Sequence, residues 1–209
     1  MLKRGIGLGL LCITGHAFSA NITVTTTEDV VKADDQCSLR EAIEYINQGM
    51  PEAGYNGCGG KEATARILLD ANKEYVLNTQ VHISKDVDFA SNYETNVTDT
   101  ENVVGKKNAI IKMAGNERLF RIEKIIDSAA TTAPAMLKVS FTEITMKGCG
   151  QSVCADQGGL IYNKELLSIS NGQLLNGVAR QGGAIYNAGT YEANKSLSFC
   201  YSPIKMSMR

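Results

Sequence analysis

The sequence has no tryptophan and only two histidines among its 209 residues. One histidine, His16, lies in the apolar segment at the N-terminus, so His82 is the only histidine in the rest of the chain. Sites that need two or three histidines, such as the common catalytic zinc sites, are therefore excluded. The absence of tryptophan also weakens the case for a lectin that stacks sugars on indole rings.

An excess of positive charge is also absent. The chain has 21 basic and 22 acidic residues, and without Lys3 and Arg4 the remaining 19 basic residues leave a net charge of −3. This composition lacks the basic surface that nucleic acids and anionic membranes require. We therefore expect no nucleic-acid partner, and no motif predicts a cofactor.

Long apolar runs are confined to the N-terminus. Ile6–Phe18 follows a short basic start and is too short to span a bilayer. A basic start, an apolar run of this length and small residues after it are typical of a signal peptide. Residues 1–20 are therefore predicted to be removed by signal peptidase after Sec export, with cleavage after Ser19 or Ala20.

Export also gives a role to the five cysteines outside residues 1–20, because close cysteines usually pair in an oxidising compartment. We expect Cys37–Cys58 and Cys149–Cys154 disulfides, with Cys200 unpaired. The first would close a loop of about 20 residues and stabilise the fold by roughly 3 kcal/mol. A zinc site of four cysteines is the alternative, but the spacings of 21, 91 and 5 residues fit no zinc ribbon or knuckle.

Residues 37–43, Cys-Ser-Leu-Arg-Glu-Ala-Ile, form the sharpest local pattern. Ser38 and Glu41 predict a capping box, in which each side chain accepts a hydrogen bond from the backbone amide of the other residue. The helix is expected to end about ten residues later, at Gly49 and Pro51. An apolar stripe on this helix would cover the end of a β-rich fold, and it consists of Leu39, Ala42, Ile43 and Ile46.

A six-residue motif occurs twice near the C-terminus. Gly158–Asn163, Gly-Gly-Leu-Ile-Tyr-Asn, recurs 24 residues later as Gly182–Asn187, Gly-Gly-Ala-Ile-Tyr-Asn. A period of this length, made of short strands, is typical of one turn of a parallel β-solenoid. Strand-like runs occupy corresponding places around the two copies: Val139–Met146, Leu167–Leu174 and Leu197–Phe199.

The repeat predicts a structural role for several of its positions. Ile161 is expected to stack on Ile185 in the core, and Asn163 on Asn187 as an amide ladder. Four glycines permit tight bends where the backbones of successive turns approach: Gly158, Gly159, Gly182 and Gly183. The third turn breaks off after its first residues, which predicts an exposed, self-associating edge built from Ile185, Tyr186, Leu197 and Phe199.

The motif at 37–43, the β-rich sequence after it and the Gly-Gly-Ala-Ile-Tyr-Asn repeat together resemble the CSLREA-domain proteins of bacteria. Among these, the chain is similar to the rhombotarget A family of Acinetobacter-like Gram-negative bacteria. The resemblance implies an exported, right-handed parallel β-helix over residues 21–199 with the motif helix near its N-terminal end. No second amphipathic helix is predicted, so we expect a single all-β domain and an irregular tail at 200–209.

The resemblance also implies a role outside the cytoplasm. Proteins of this family end in a Gly-Gly sorting tail that the rhomboid-type protease rhombosortase would process, and this sequence lacks such a tail. We expect a non-enzymatic, adhesin-like scaffold at the cell surface, in the periplasm or outside a Gram-negative cell, with a surface glycan or a host protein as partner. The alternatives are a polysaccharide-active lyase or hydrolase and a fragment of a longer surface protein.

Two sets of polar residues are candidates for a catalytic site. His82 lies between Val81 and Ile83 on an alternating strand, which predicts an outward-facing surface side chain. Asp86 and Asp88 share one face roughly 7 Å apart, as a sugar-cleaving or calcium site would require. A solvated face is the simpler interpretation of this pair, since such a site needs further acids or bases from neighbouring turns.

The motif helix and the loop before it carry the other charged candidates. Arg40 is expected to pair with an acidic residue of that loop or to cover strand ends. The loop acids Asp29, Asp34 and Asp35 match no ordered pattern of calcium ligands, so we predict no metal site there.

Overall fold

The computed structural model of the protein describes residues 20–93, 107–126, 135–150, 153–194 and 198–200. The predicted signal peptide before Ala20, Leu197 and the tail after Cys200 lie outside these residues. The described chain is mostly β-strand with one helix, in this order: β1 (Ala20–Thr23), α1 (Leu39–Asn47), β2 (Ala63–Asp70), β3 (Glu74–Leu77), β4 (Val81–Ile83), β5 (Val87–Asn92), β6 (Ala109–Met113), β7 (Phe120–Ile122), β8 (Lys138–Thr142), β9 (Ile144–Lys147), β10 (Ala155–Gln157), β11 (Ile161–Asn163), β12 (Leu166–Ser170), β13 (Gln173–Leu175), β14 (Ala179–Gln181), β15 (Ile185–Asn187), β16 (Thr190–Asn194) and β17 (Ser198–Cys200).

The strands form four sheets, and every pair of these strands is parallel. The orders are β1-β2-β5-β8-β12-β16, β3-β6-β9-β13-β17, β4-β7-β11-β15 and β10-β14. Within each sheet the strands follow one another in chain order. From β2 onward, the chain contributes a strand to at least two other sheets before it returns to the same sheet. The expected all-β class is therefore confirmed, since the described chain consists mainly of parallel sheets.

The two copies of the six-residue motif lie on neighbouring strands, as their spacing predicts. Ile161 pairs with Ile185 and Asn163 with Asn187, in strands β11 and β15. The Asn163 side-chain amide donates a hydrogen bond of 2.7 Å to the Asn187 Oδ1 atom. The predicted amide ladder is therefore confirmed, and so is the buried position of Ile161.

The glycines of the motif make the predicted bends. Gly158 and Gly182 have φ angles of +63° and +64°, a left-handed conformation that residues with a Cβ atom rarely adopt. The amide of Gly159 donates a 2.6 Å hydrogen bond to the carbonyl of Gly183, so the two backbones approach closely at this corner.

Two expectations about strands need correction. The run Val139–Met146 forms two strands, β8 and β9, because Glu143 between them turns the chain with a φ angle of +58°. Ile185 does not form an exposed edge, since it is only 7% exposed and packs in the core. Tyr186 beside it is half-buried, and the side chains of Leu197 and Phe199 lie outside the described residues.

The buried apolar residues form one cluster that fills the space between the sheets and extends under the helix. Phe89 and Phe141 occupy neighbouring strands and stack with their ring centroids 4.5 Å apart. Phe120, from the four-stranded sheet, packs on Phe141 at 5.4 Å. The same core therefore joins two sheets through aromatic contacts between strands that are distant in sequence.

The predicted capping box and apolar stripe of the helix are confirmed. The Ser38 hydroxyl accepts a hydrogen bond from the Glu41 amide, and the Glu41 carboxylate accepts one from the Ser38 amide. The stripe residues are at most 3% exposed: Leu39, Ala42, Ile43 and Ile46. α1, with nine residues, is the one α-helix among the described residues. No helix in this part of the chain is long and apolar enough to cross a membrane.

The helix closes the end of the four-stranded sheet at β4. The Asn47 side chain donates to the His82 carbonyl at 2.8 Å and accepts from the Ser84 amide at 2.9 Å. Arg40 donates to the Thr79 carbonyl at 2.9 Å just before the same strand. Backbone groups at this strand edge are thus paired with helix side chains rather than left open.

Both predicted cysteine pairs lie at disulfide distance. The Cα atoms of Cys37 and Cys58 are 4.8 Å apart, and those of Cys149 and Cys154 are 6.2 Å apart. The first disulfide joins the start of the motif helix to the loop that leads into β2. The side chain of Cys200 lies outside the described residues.

Candidate functional site

The four-stranded sheet places four side chains in one outward-facing row. His82, Arg121, Tyr162 and Tyr186 are register partners on β4, β7, β11 and β15. Their neighbours in sequence on each strand are buried, except for the half-buried Asn187, so the pleat directs these four side chains away from the core. The row is therefore a surface whose composition is fixed by strand pairing.

The two tyrosines of the row stack on each other. The ring centroids of Tyr162 and Tyr186 are 5.5 Å apart and the ring planes differ by 3°. Both residues occupy the fifth position of the repeated motif, so the 24-residue period is what aligns them. Each ring is half-buried, which leaves part of its edge open to solvent.

Three cations surround the Tyr162 ring. The guanidinium carbons of Arg118 and Arg121 each lie 5.3 Å from the ring centroid, and the Lys164 Nζ atom lies 5.8 Å from it. These distances are within the range in which a cation is attracted by the electron-rich face of an aromatic ring. We call these five residues the tyrosine–cation cluster: Arg118, Arg121, Tyr162, Lys164 and Tyr186.

One carboxylate, Glu123, neutralises part of this charge. It accepts hydrogen bonds from Lys164 at 2.5 Å and from the Arg121 Nε atom at 2.6 Å. The hydrogen bond from Lys164, together with Arg121, lowers the pKa of Glu123 in spite of partial burial. The same bond raises the pKa of Lys164, so both groups are charged at neutral pH.

Arg118 has no such partner among the described residues, where no carboxylate lies within 4 Å of its guanidinium group. Its Nη1 atom donates a 2.7 Å hydrogen bond to the Gln157 carbonyl. Burial lowers the pKa of Arg118 and repulsion from Arg121 lowers it further, while Asp156 and Glu117 oppose this more weakly. The cluster thus holds three cations: Arg121 and Lys164 share the Glu123 carboxylate, and Arg118 and Arg121 repel each other.

His82, at the end of the row, is outward-facing as predicted but not freely exposed. Its Nε2 atom lies 2.7 Å from the Glu123 carbonyl oxygen, and the ring is half-buried. A ring nitrogen next to a carbonyl oxygen carries the proton, because the carbonyl can only accept. That nitrogen is therefore a hydrogen-bond donor to the backbone and is unsuited to act as a base.

Comparisons with protein-family models, with curated proteins and with solved structures find no match for this chain. Function has to be inferred from the site itself.

A second surface feature is a groove of about 280 Å³ on the six-stranded sheet. Asp88 and Glu192 line it at its two ends, and Ser140 and Ser168 are register partners between them. Asp88 accepts a hydrogen bond from the Ser140 hydroxyl, and Lys138 also lines the groove. A sugar-cleaving site beside Asp88 would need further acids or bases from neighbouring turns, and Glu192 supplies one carboxylate in register on this face.

Three of the acids that were candidate ligands have other partners: Asp29, Asp34 and Asp86. Asp86 accepts a 2.9 Å hydrogen bond from the Lys138 amide. Asp29 forms a two-bond pair with Arg40, as the sequence predicts for that arginine, and also accepts from the Asn78 amide. Asp34 accepts from the Gln36 amide. The described residues contain no group of three or more histidine, cysteine or acidic side chains arranged to hold a metal ion.

The tyrosine–cation cluster was not predicted from the sequence. The repeat itself could have indicated the tyrosine pair, since position five of each copy is Tyr162 or Tyr186. Nothing in the sequence places Arg118 and Arg121 beside Tyr162, because about 40 residues separate them and the register of β7 against β11 is set by the fold.

Proposed function

We propose that this chain is an exported, non-enzymatic parallel β-helix of the CSLREA type that displays a binding face outside the cytoplasm. The observation that carries the proposal is the row of register-paired, outward-facing side chains across β4, β7, β11 and β15. A solenoid repeats its backbone, so each new turn adds one residue to such a row and builds an extended surface from short strands.

The finer features of the fold belong to the same proposal. Parallel strands that follow chain order within each sheet are what a continuous β-helix produces. Connections between parallel strands of one sheet are right-handed in about 98% of cases, which supports the right-handed form. The motif helix at β4 would then be the N-terminal cap of the β-helix, like the helix of the proteins it resembles.

Two observations support export. Two cysteine pairs at disulfide distance are common in proteins that fold in oxidising compartments and rare in the cytosol. The basic and apolar segment at residues 1–20 would direct the chain to Sec and signal peptidase. On the surface of a Gram-negative cell, the partner would be a glycan or a host protein, and rhombosortase would act only on a form that carries a sorting tail.

Cell fractionation tests this proposal. The full sequence with a C-terminal tag, expressed in a Gram-negative host, should appear outside the cytoplasm with Ala20 or Asn21 as its first residue. Lys3→Glu combined with Arg4→Glu should retain the chain inside, because a basic start is needed for the signal. A cytoplasmic product that begins at Met1 in the unaltered chain would overturn the proposal.

A polysaccharide-active enzyme is the second candidate, and the groove on the six-stranded sheet favours it. Asp88, with Lys138 beside it, would act on the scissile bond. Glu192 lies three strand spacings away, about 14 Å, and would bind a neighbouring sugar. If this candidate is right, the purified chain should release reducing ends or unsaturated sugars from an acidic polysaccharide. Asp88→Asn should abolish that release and Glu192→Gln should weaken it, while Asp86→Asn just outside the groove should retain it.

A further inference from the structure

We propose that the tyrosine–cation cluster binds a linear polyuronate, with sugar carboxylates on Arg118 and Arg121 and the chain running along the row of register partners. This inference rests on the proposed function and names the class of glycan that the displayed face would take. It concerns the four-stranded sheet and is independent of the groove on the six-stranded sheet.

The charge of the cluster points to an anion. Arg118, Arg121 and Lys164 meet at one ring, and Glu123 compensates for only one of the three positive charges. Arg118 in particular lacks a carboxylate within 4 Å among the described residues. A ligand carboxylate near both guanidinium groups would replace their mutual repulsion by attraction, and the planar fork of arginine matches a carboxylate with two hydrogen bonds.

The shape of the row points to an extended sugar chain. Four register partners cover three strand spacings, about 14 Å in total. A linear sugar chain lying along the row would therefore meet side chains from all four strands. The edges of the stacked rings of Tyr162 and Tyr186 add apolar and hydroxyl contacts beside the cations.

Other polyanions fit less well. Nucleic acid needs a broad basic surface, whereas this chain has a net charge of −1. An acidic peptide would ordinarily add to an open strand edge through its backbone, and the cluster lies on the face of a sheet. A face with a few cations and two aromatic rings is better suited to a ligand in which each carboxylate is carried by a sugar ring that also offers hydroxyls and an apolar face.

Calorimetric titration of the purified, exported chain tests the proposal. The probes are oligogalacturonate of defined length and the same oligomer with its carboxylates methyl-esterified. We expect binding of the acidic oligomer, weakening as salt is added, and no binding of the ester. Arg118→Gln should weaken binding about tenfold, because it removes hydrogen bonds to a charged group. Arg66→Gln, an exposed arginine on the six-stranded sheet, should leave binding unchanged.

A fold defect in the Arg118 variant would be a confounding result, since this side chain also bonds to the Gln157 carbonyl. Lys164→Gln is therefore the second variant, because 43% of its side chain is exposed. It should lower the melting temperature only slightly, because an exposed ion pair contributes little to stability, and it should still weaken binding.

Several results would overturn the proposal. These are equal binding of acid and ester, equal loss in the Arg66 variant, full binding by the Lys164 variant, or tighter binding of polyglutamate or heparin than of oligogalacturonate. An exported chain that binds no polyuronate overturns this inference alone. Polyuronate binding by a chain that stays in the cytoplasm overturns the proposed function alone.

Discussion

Glu41 and Glu165 are two carboxylates that the fold buries almost completely, at 1% and 7% exposure. Each accepts hydrogen bonds from two backbone amides, which for Glu165 are those of Lys124 and Leu137 at 2.9 and 2.8 Å. Glu41 accepts from Lys32 at 2.7 Å and from Ser38 at 2.9 Å, and thereby ties the loop to the start of the helix. A buried charge is tolerated where charge-assisted hydrogen bonds replace the lost water, so these two residues serve the backbone rather than a reaction.

Glu41→Ala should lower the free energy of unfolding by about 1–3 kcal/mol, because it leaves two backbone donors without a partner. Glu44→Ala, on the exposed side of the same helix, should change stability by less than about 0.5 kcal/mol. Urea unfolding of both variants measures the difference. Equal effects of the two substitutions would show that the capping box contributes nothing beyond helix propensity.

Glu123 makes stability depend on pH at the acidic end. Its pKa is lowered from the ordinary value of 4.5 by Lys164 and Arg121, so the folded state favours the charged form. The resulting stabilisation is complete above pH 4.5 and is lost as the pH falls through the lowered pKa. Melting temperatures of the wild type should therefore fall more steeply below that pH than those of Glu123→Gln. Parallel curves for the two proteins would mean that the Glu123 pairs add no stability.

Among whole elements, α1 is the one whose loss should matter most. Its apolar stripe belongs to the same buried cluster as the sheets, and Ile43 is 1% exposed within it.

Ile43→Asp should cost several kcal/mol, because it places a charge without a partner in the core. Ile43→Ala should cost about 2–5 kcal/mol through the cavity that it leaves. Val31→Ala, at a side chain that is 56% exposed, is the matched control and should be nearly neutral. Thermal unfolding compares the three variants. An unchanged transition for Ile43→Asp would exclude a capping role for the helix.

The helix and the motif pairing were predictable because both depend on residues that are close or periodic in sequence. Ser38 and Glu41 are three positions apart, and the two Ile-Tyr-Asn triplets are one period apart. The register of β7 against β11, and with it the place of Arg121 beside Tyr162, was not predictable, because about 40 residues separate them and the six-residue motif has no copy at β7. The break at Glu143 also escaped prediction, since a positive φ angle is rare for a glutamate.

The entire molecule has two ends of different chemistry. At the end formed by β15, β16 and β17, each strand pairs with only one other strand of the described chain. The Tyr191 hydroxyl on β16 is buried without a hydrogen-bond partner among the described residues, and burial raises the pKa of Tyr191 to about 12. The outer edges of β15, β16 and β17 carry no further strand in the described chain, so another chain could pair there.

We therefore expect the mature chain to self-associate at tens of micromolar. Tyr186→Lys places a charge at this end and should weaken the association, whereas His82→Lys at the opposite end of the same sheet should not. Sedimentation velocity over a range of concentrations provides the measurement. A wild-type chain that stays monomeric, or equal weakening by both variants, would contradict an interface at β15.

The hydrogen bonds of Asn47 and Arg40 to β4 also determine what kind of assembly the chain can build. A filament grows only if one end of a molecule can join the opposite end of the next, which is a heterologous contact. Here the edge of β4 is occupied by the helix, and β3 is met by the Thr27 carbonyl, which accepts from the Val76 amide at 3.1 Å. If two molecules instead join through the β15 end of each, the same surface is used twice. Such an assembly closes after two copies under twofold symmetry. By covering the edge of β4, the motif helix opposes end-to-end growth of the four-stranded sheet.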